Sequence, residues 1–420
     1  MAGLLRTTIR RALSSPAWKR TSRWIRGIPD YSALAARHEK DRVDAEVIAY
    51  FGDGAAKTYQ LIQWLPVLEE LDKHHSVAIV LRKPSAIAVI SEHTRLPIVY
   101  QRRFLDFMNM LFRSQCRLAI YVNNGMTNFQ ALGYAPMVHV HVNHGESDKI
   151  SMVSNQAKAY DRVFVAGQAA VERYRRALLD FDESKLVRIG RPQLDIPSPN
   201  LLPDTVLRTV MYAPTWEGEN DANNYTSVDV YGPQIVRAVL GLTGVRLVYK
   251  PHPRVEASPD PGVARANAEI LRLIEDAGGE HRVQMQGDIL GMFDTVDLMI
   301  TDVSSVGLDF LYLHPEKPLL LTDRRSDPHK LHEESPVTTA TPIIDASNRG
   351  QLAELINGLL LSDEGTEARQ KMRTHYFGDR PVGASSTAFV GDISQLLANR
   401  ETKLTHFGTE RANGGVEADG

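Results

Sequence analysis

From Val43 onward, short apolar runs alternate with longer segments in which apolar residues recur at helical spacing. Runs at residues 47–51, 77–81, 96–100, 118–122, 137–142 and 162–166 predict strands, and segments 57–73, 85–93, 104–112 and 168–179 predict helices. Strands and helices in this order describe a parallel sheet covered on both faces. The texture changes near residues 192–203, where Pro192, Pro197, Pro199 and Pro203 stand among few apolar residues, and this stretch reads as a linker. A second series follows, with strands expected at 206–212, 245–250, 282–285, 298–301, 318–321 and 341–344, and helices at 234–240, 263–277 and 351–361. A helix over 384–399 closes the series, and residues 400–420 read as a polar disordered tail.

The expected fold is therefore α/β, with two doubly wound Rossmann-like domains facing a cleft. An N-terminal arm (1–40) precedes domains at 41–195 and 196–399. Such a cleft suits a nucleotide-bearing donor on one side and an acceptor on the other. A length of 420 residues agrees with two domains.

Composition is that of an ordinary globular protein, at 43% apolar and 24% charged. The single cysteine, Cys116, excludes an internal disulfide and a cysteine-based zinc site, and points to a reducing compartment. Charge is unevenly placed. Residues 1–29 hold seven basic side chains (Arg6, Arg10, Arg11, Lys19, Arg20, Arg23, Arg26) and no acid, leaving 41 basic against 51 acidic elsewhere, a net of −10. In this arm Leu4, Leu5, Ile9, Ala12 and Leu13 fall near a helical stripe, followed by Trp18, Trp24 and Ile25. No run approaches the roughly 18 apolar residues of a membrane span, and a signal peptide would need a longer apolar block. A basic, Trp-containing amphipathic arm suits the surface of an anionic membrane. The same pattern also fits nucleic acid, a transit peptide or a terminus docked on the acidic body, but nothing else in the chain supports nucleic-acid binding.

The richest stretch for chemistry is DLMITDVSSVGLDFLYLHPEKPLLLTD, residues 297–323, which reads as strand, polar turn, helix and strand. Backbone N–H groups at the helix start, with the Ser304 and Ser305 hydroxyls, would make a cradle for a phosphate. The simplest alternative is that Asp302, Ser304 and Ser305 only cap the helix. Two more strand ends carry polar motifs, YAPTW (212–216, with Thr215) and YKPHPR (249–254). Parallel strands of one sheet bring their carboxyl ends to one edge, so these motifs converge with the Thr301–Ser305 turn.

Prolines on both sides fix His252, and Lys250 and Arg254 add positive charge. With an ordinary pKa near 6.5, such a histidine can donate to a phosphate oxygen or act as an acid toward a leaving phosphate. In MVHVHVNHGESDK (137–149), His139 and His141 share a strand face while His144 follows the strand end, before Gly145. His144 is placed to act as a general base, with Glu146 and Asp148 beside it as orienting groups or as a solvated turn. Three histidines without a spaced carboxylate are a weak metal signal, and no metal site is assigned. Dinucleotide, P-loop and Gly-x-Ser-x-Gly signatures are absent from the sequence, which weighs against NAD chemistry, NTP hydrolysis and serine-esterase chemistry.

Taken together, His144-Gly145, YAPTW, KPHP (250–253), TDVSSVGLDF (301–310) and a late Ala-Ser-Ser (384–386) resemble the CDP-glycerol glycerophosphotransferase family, which builds teichoic acid polymers. The resemblance implies a fold similar to GT-B glycosyltransferases, with the nucleotide held by the C-terminal domain. It implies attack by an acceptor hydroxyl on the β-phosphorus of a CDP-activated polyol phosphate, with release of CMP. His144 would then be the base and His252 would contact the donor phosphates. Lys250, Arg254, Thr215, Thr301, Ser304 and Ser305 would line the donor site, Asp302 and Asp309 would shape the turn, and Ser385 or Ser386 would add a phosphate contact. No cofactor is certain, and a divalent cation such as Mg2+ is compatible with the chemistry. The implied partners are the CDP donor and a lipid-linked or polymeric acceptor, and the implied location is the cytoplasmic face of the bacterial membrane, reached through residues 1–29; oligomeric state stays open. Asn143 stands where the family usually has tryptophan, and Glu146 where it has threonine. A carboxylate there would repel a polyanionic acceptor, which leaves the acceptor's identity open, and residues 324–340 also depart from the family pattern, which leaves open a different polyol phosphate or a sugar. Two alternatives stand beside this reading: a GT-B glycosyltransferase using a nucleotide sugar for a capsule or wall glycan, and a non-catalytic member that binds a nucleotide or polymer.

Overall fold

The computed structural model describes residues 30–149 and 152–414. The basic arm, residues 1–29, lies outside the described residues. The chain divides into two compact units, Met1–Val138 and His139–Gly420.

In the first unit β1 (Val47–Phe51) pairs in parallel with β2 (Val77–Leu81) on one side and β4 (Leu118–Tyr121) on the other, and β2 pairs with β3 (Ile98–Tyr100). Every residue of β1, β2 and β4 is buried, which explains why these strands read as unbroken apolar runs. Helices α1 (Ser32–His38), α2 (Tyr59–Ile62), α3 (Leu65–Asp72), α4 (Pro84–Ile90), α5 (Phe104–Arg113) and α6 (Asn128–Leu132) accompany them. The single helix expected over 57–73 is thus two. Pro66 has no N–H to donate and sits in the first turn of α3, where none is needed.

The second unit begins with β5 (Val138–His141), β6 (Arg162–Val165), α7 (Gln168–Ala177) and β7 (Leu186–Arg188), which complete a seven-stranded sheet in the order β3-β2-β1-β4-β5-β6-β7. A six-stranded sheet follows, built from β8 (Arg208–Ala213), β9 (Val245–Tyr249), β10 (Arg282–Val283), β11 (Leu298–Thr301), β12 (Leu319–Thr322) and β13 (Ile343–Ile344). Its pairings are parallel and its order is β10-β9-β8-β11-β12-β13. Connections leave β8 toward one edge and β11 toward the other, so the sheet has its switch point between these two strands, where open α/β sheets bind ligands. One face packs α8 (Gly232–Leu240), α9 (Pro261–Ala277) and α12 (Leu352–Leu361) over Tyr212, Leu247 and Ile300, and α11 (Pro328–Glu334) lies between β12 and β13 in the chain. The other face packs α10 (Ser305–Leu313) and α13 (Thr366–Phe377) over Met211, Val248 and Met299.

Four further elements depart from expectation. Residues 192–195, in the stretch read as a linker, form a helical turn with Pro192, Gln193 and Leu194 buried. Helix α13 and strand β7 have no strong apolar pattern, and the sequence predicts neither. The closing helix α14 runs Ser385–Gly414, past residue 399, because residues 400–404 continue with good helix formers and no proline. Among the described residues no helix is long and apolar enough to cross a membrane.

Candidate active site

The carboxyl ends of β8, β11 and β12 are tied together by one carboxylate. Asp302, which follows β11, is fully buried and accepts from Thr215 N–H (2.7 Å) and from the Thr322 hydroxyl (2.7 Å). Thr301 donates its hydroxyl to Ala213 O at 2.7 Å. Burial pushes the Asp302 carboxyl up to about 6. Thr301 and Asp302 therefore hold the loops at the switch point, and their polar atoms are engaged with the protein rather than turned to a ligand.

The fixed frame carries the His252 loop. His252 N–H donates to Pro214 O (3.0 Å), and its Nδ1 accepts from Arg254 N–H (3.2 Å), so in the neutral ring the proton sits on Nε2. Lys250 is buried and donates Nζ to Met285 O (3.3 Å), while the Arg254 guanidinium lies 4.2 Å over the Trp216 ring, which neighbours His252. Burial, then the charges of Lys149, Arg254 and Lys250, lower the His252 pKa to about 4. At neutral pH the free protein thus holds a neutral His252 that donates through Nε2. The proton-carrying acid considered at the ordinary pKa of 6.5 is not its resting form. Across the switch point α10 starts at Ser305, and no side chain caps it: the Ser304 hydroxyl lies 3.4 Å from Thr301 Oγ1 instead. The first N–H groups of α10 remain available to an anion.

The loop after β5 brings the histidine-glycine pair to this helix start. Asn143 adopts a left-handed backbone (φ 55°), a conformation asparagine tolerates, and its Oδ1 accepts from His144 N–H at 2.9 Å. A Cβ on Gly145 would stand 3.6 Å from Arg191 Nη2 and 3.8 Å from Ser305 Cβ, which places the pair against the first turn of α10. Burial, reinforced by the charge of Arg191, lowers the His144 pKa to about 4, so its ring is neutral and in the proton-accepting form.

The acids beside His144 point elsewhere. Arg173 of α7 pairs with Glu146 (2.7 Å) and Asp148 (2.9 Å), and the other Asp148 oxygen accepts from Ser335 (2.8 Å) and from the Tyr376 hydroxyl. Glu146 is buried in this knot. The carboxylate expected to repel an acceptor is instead out of solvent and turned to Arg173. Asp309 is also buried and pairs with Arg191 through Nε (3.0 Å) and Nη2 (3.3 Å). Ser385 is fully buried: it accepts from Arg191 N–H (3.0 Å) and lies 3.2 Å from the Tyr312 hydroxyl. Ser386 donates to Pro192 O (3.1 Å). The hydroxyls expected to contact phosphate are therefore engaged with the 190–195 turn.

The structure thus gathers His144, Gly145, Ser304, Ser305, Lys250, His252 and Thr215 around the switch point, and puts Glu146, Thr301, Asp302, Asp309, Ser385 and Ser386 in the frame behind it. Sequence reasoning misses Arg191 and Arg173. Arg191 adjoins the stretch read as a linker, and Arg173 is one arginine among several on an Arg- and Ala-rich helix. His139 and His141 are buried, with His141 stacked on Tyr160. Among the described residues no group of three or more His, Cys, Asp or Glu side chains is placed to hold a metal ion. The nearby carboxylates Asp302 and Asp309 are already satisfied by the protein, so this donor set does not fit a protein-held divalent cation.

Likeness to solved structures is consistent with the two-sheet plan. The wall teichoic acid polymerase TagF aligns at TM-score 0.53 and 15% identity, over 96% of this chain and 99% of that one. Anabaena HepE in complex with UDP and glucose aligns at 0.52 and 12% identity (84% and 100%), and S. aureus MnaA in complex with UDP at 0.52 and 14% (84% and 97%). At these identities the likeness shows the fold, which is that of GT-B glycosyltransferases. No curated protein sequence matches the chain. A family model does match, over residues 69–323, more than half of the chain and spanning the histidine-glycine pair, the His252 loop and the Asp302 turn. With the motifs assembled at one switch point, the chain belongs to the CDP-glycerol:poly(glycerophosphate) glycerophosphotransferase family.

Proposed function

We propose that this enzyme moves glycerol phosphate, or a similar polyol phosphate, from a CDP-activated donor to a hydroxyl of a teichoic-acid-like or cell-wall polymer, releasing CMP. The observation that carries this reading is the surplus of positive charge at the switch point: His252 faces three cations and no carboxylate among the groups that shift its pKa, opposite an uncapped helix start. A diphosphate supplies the missing negative charge. In the proposed step His144 accepts the proton of the acceptor hydroxyl, whose oxygen bonds to the β-phosphorus. The bond from that phosphorus to the bridging oxygen breaks, and CMP leaves with that oxygen and its electron pair. His252 donates Nε2–H to a phosphate oxygen, and the α10 N–H groups with Ser304 and Ser305 hold the transferring group. No step requires a metal ion. In this reading the acceptor is lipid-linked or polymeric, and residues 1–29 bring the enzyme to the cytoplasmic face of the membrane.

The test is to incubate purified protein with CDP-glycerol, CDP-ribitol and a panel of nucleotide sugars plus a lipid-linked acceptor, and to identify the released nucleotide. CMP and a phosphodiester product are expected, and folded His252→Ala protein is expected to lose about two to four orders of magnitude in rate. Release of a nucleoside diphosphate with a glycoside would overturn phosphotransfer in favour of glycosyl transfer.

A further inference from the structure

Lys149 ends the same loop that carries His144, yet its charge is treated unlike that of its neighbours. Glu146 and Asp148 both turn to Arg173. Lys149 instead extends toward the donor side, where Nζ donates to the Thr215 hydroxyl at 3.2 Å and stands 5.8 Å above the Tyr225 ring. Among the described residues no carboxylate lies within 4.0 Å of it in an ion pair, and the neutral Thr215 hydroxyl is the acceptor that its ammonium meets. Thr215 is the residue whose N–H is locked to Asp302, so the ammonium sits over the carboxyl ends of β8 and β11. Burial lowers the Lys149 pKa, with the more distant Asp302 opposing the shift, and Lys149 in turn is the largest charge effect on His252.

A half-buried ammonium held by one neutral hydroxyl is costly by itself, and becomes favourable when an anion completes its shell. We propose that Lys149 is a ligand of the donor diphosphate, contributed by the base-bearing loop. Resting on the donor reading above, this gives the site a third cation beside Lys250 and Arg254, around a neutral His252. It also links donor binding to the loop that positions His144: when a phosphate oxygen replaces Thr215 Oγ1 as the partner of Nζ, the loop is anchored to the substrate it must act on.

The test is calorimetric titration of the full chain with CDP, inorganic pyrophosphate and cytidine, for wild type, Lys149→Met, Lys149→Gln and Lys149→Arg. Losing one charge-assisted hydrogen bond weakens binding by roughly ten- to a hundredfold. We expect that loss for CDP and pyrophosphate in the Met and Gln variants, unchanged cytidine binding, and substantial recovery in the Arg variant. Thermal melts without ligand should show the Met variant at least as stable as wild type, since an unmatched charge has been removed. Folded Met or Gln protein that binds CDP and pyrophosphate like wild type overturns the Lys149 assignment and leaves the donor reading intact. Wild-type protein that binds neither CDP, another nucleoside diphosphate nor pyrophosphate overturns the donor reading and this inference together.

Discussion

Two clusters of charge in the second unit follow opposite rules. Around Arg173, both carboxylates of Glu146 and Asp148 meet a guanidinium, and Ser335 and Tyr376 complete the Asp148 shell. Around His252, Lys149, Lys250 and Arg254 converge and no carboxylate stands among the groups that shift its pKa, while Asp302 and Asp288 act on Lys149 and Lys250 without an ion pair among the described residues. The first cluster, two carboxylates sharing one guanidinium and two hydroxyls, finds its partners within the protein and ties the loop after β5 to α7 and to residues near 335 and 376. The second is complete only when something negative arrives. Whether charged groups find their partners inside the protein, more than the identity of any residue, separates frame from site, because a charge left without one is tolerated where a ligand completes its shell.

The matched cluster should fail hardest when one partner is removed. Arg173→Met leaves two buried carboxylates facing each other, a loss of about 3–5 kcal/mol in unfolding free energy by urea titration. A loss below about 1 kcal/mol would mean that the carboxylates escape to solvent and the cluster is not a frame.

Acid should act through the unmatched cluster. The His252 pKa is about 4 in the folded protein against about 6.5 unfolded, so between these values the unfolded chain binds more protons, and stability from this group is present above pH 6.5 and lost as pH falls toward 4. Burial shifts Asp302 the opposite way, up to about 6, so its contribution weakens as pH rises from 4 to 6 and partly offsets the trend in wild type. Comparison with His252→Gln cancels the Asp302 contribution. We expect the melting temperature of wild type to fall relative to that variant as pH drops from 6.5 to 4, and a constant difference across this window would remove the role of burial, and of Lys149, Arg254 and Lys250 with it, in holding His252 neutral.

This contrast also explains what can be read from the sequence. Strands β1, β2 and β11 are legible to the residue, because burial on both faces demands continuous apolar runs such as VIAYF and LMIT. Helix α13 is not, since its buried residues are Arg369, Tyr376 and Phe377, too few and too widely spaced to show a stripe. Motifs at strand ends are legible as a site because parallel topology alone brings Thr215, His252 and Ser304 together. The partners of charges are not. Whether Glu146 meets Arg173 or an acceptor depends on a helix more than twenty residues away in the chain, and no local pattern records it.

Ser385 makes the smallest and sharpest case. From the sequence its hydroxyl could equally hold a phosphate or a neighbouring turn. In the structure it accepts from Arg191 N–H, and Gly190, at φ +76°, brings its Cα so close that a Cβ there would collide with Ser385 Oγ. Ser385→Ala leaves the buried Arg191 N–H without an acceptor, at a cost of about 1–3 kcal/mol in stability. Because Arg191 is the partner of Asp309 and stands beside Gly145, a small fall in turnover should accompany that loss, while CDP affinity stays within about twofold of wild type, as expected for a residue that touches no phosphate. A tenfold loss of CDP affinity at unchanged stability would instead return Ser385 to the donor site and move the border between frame and site by one residue.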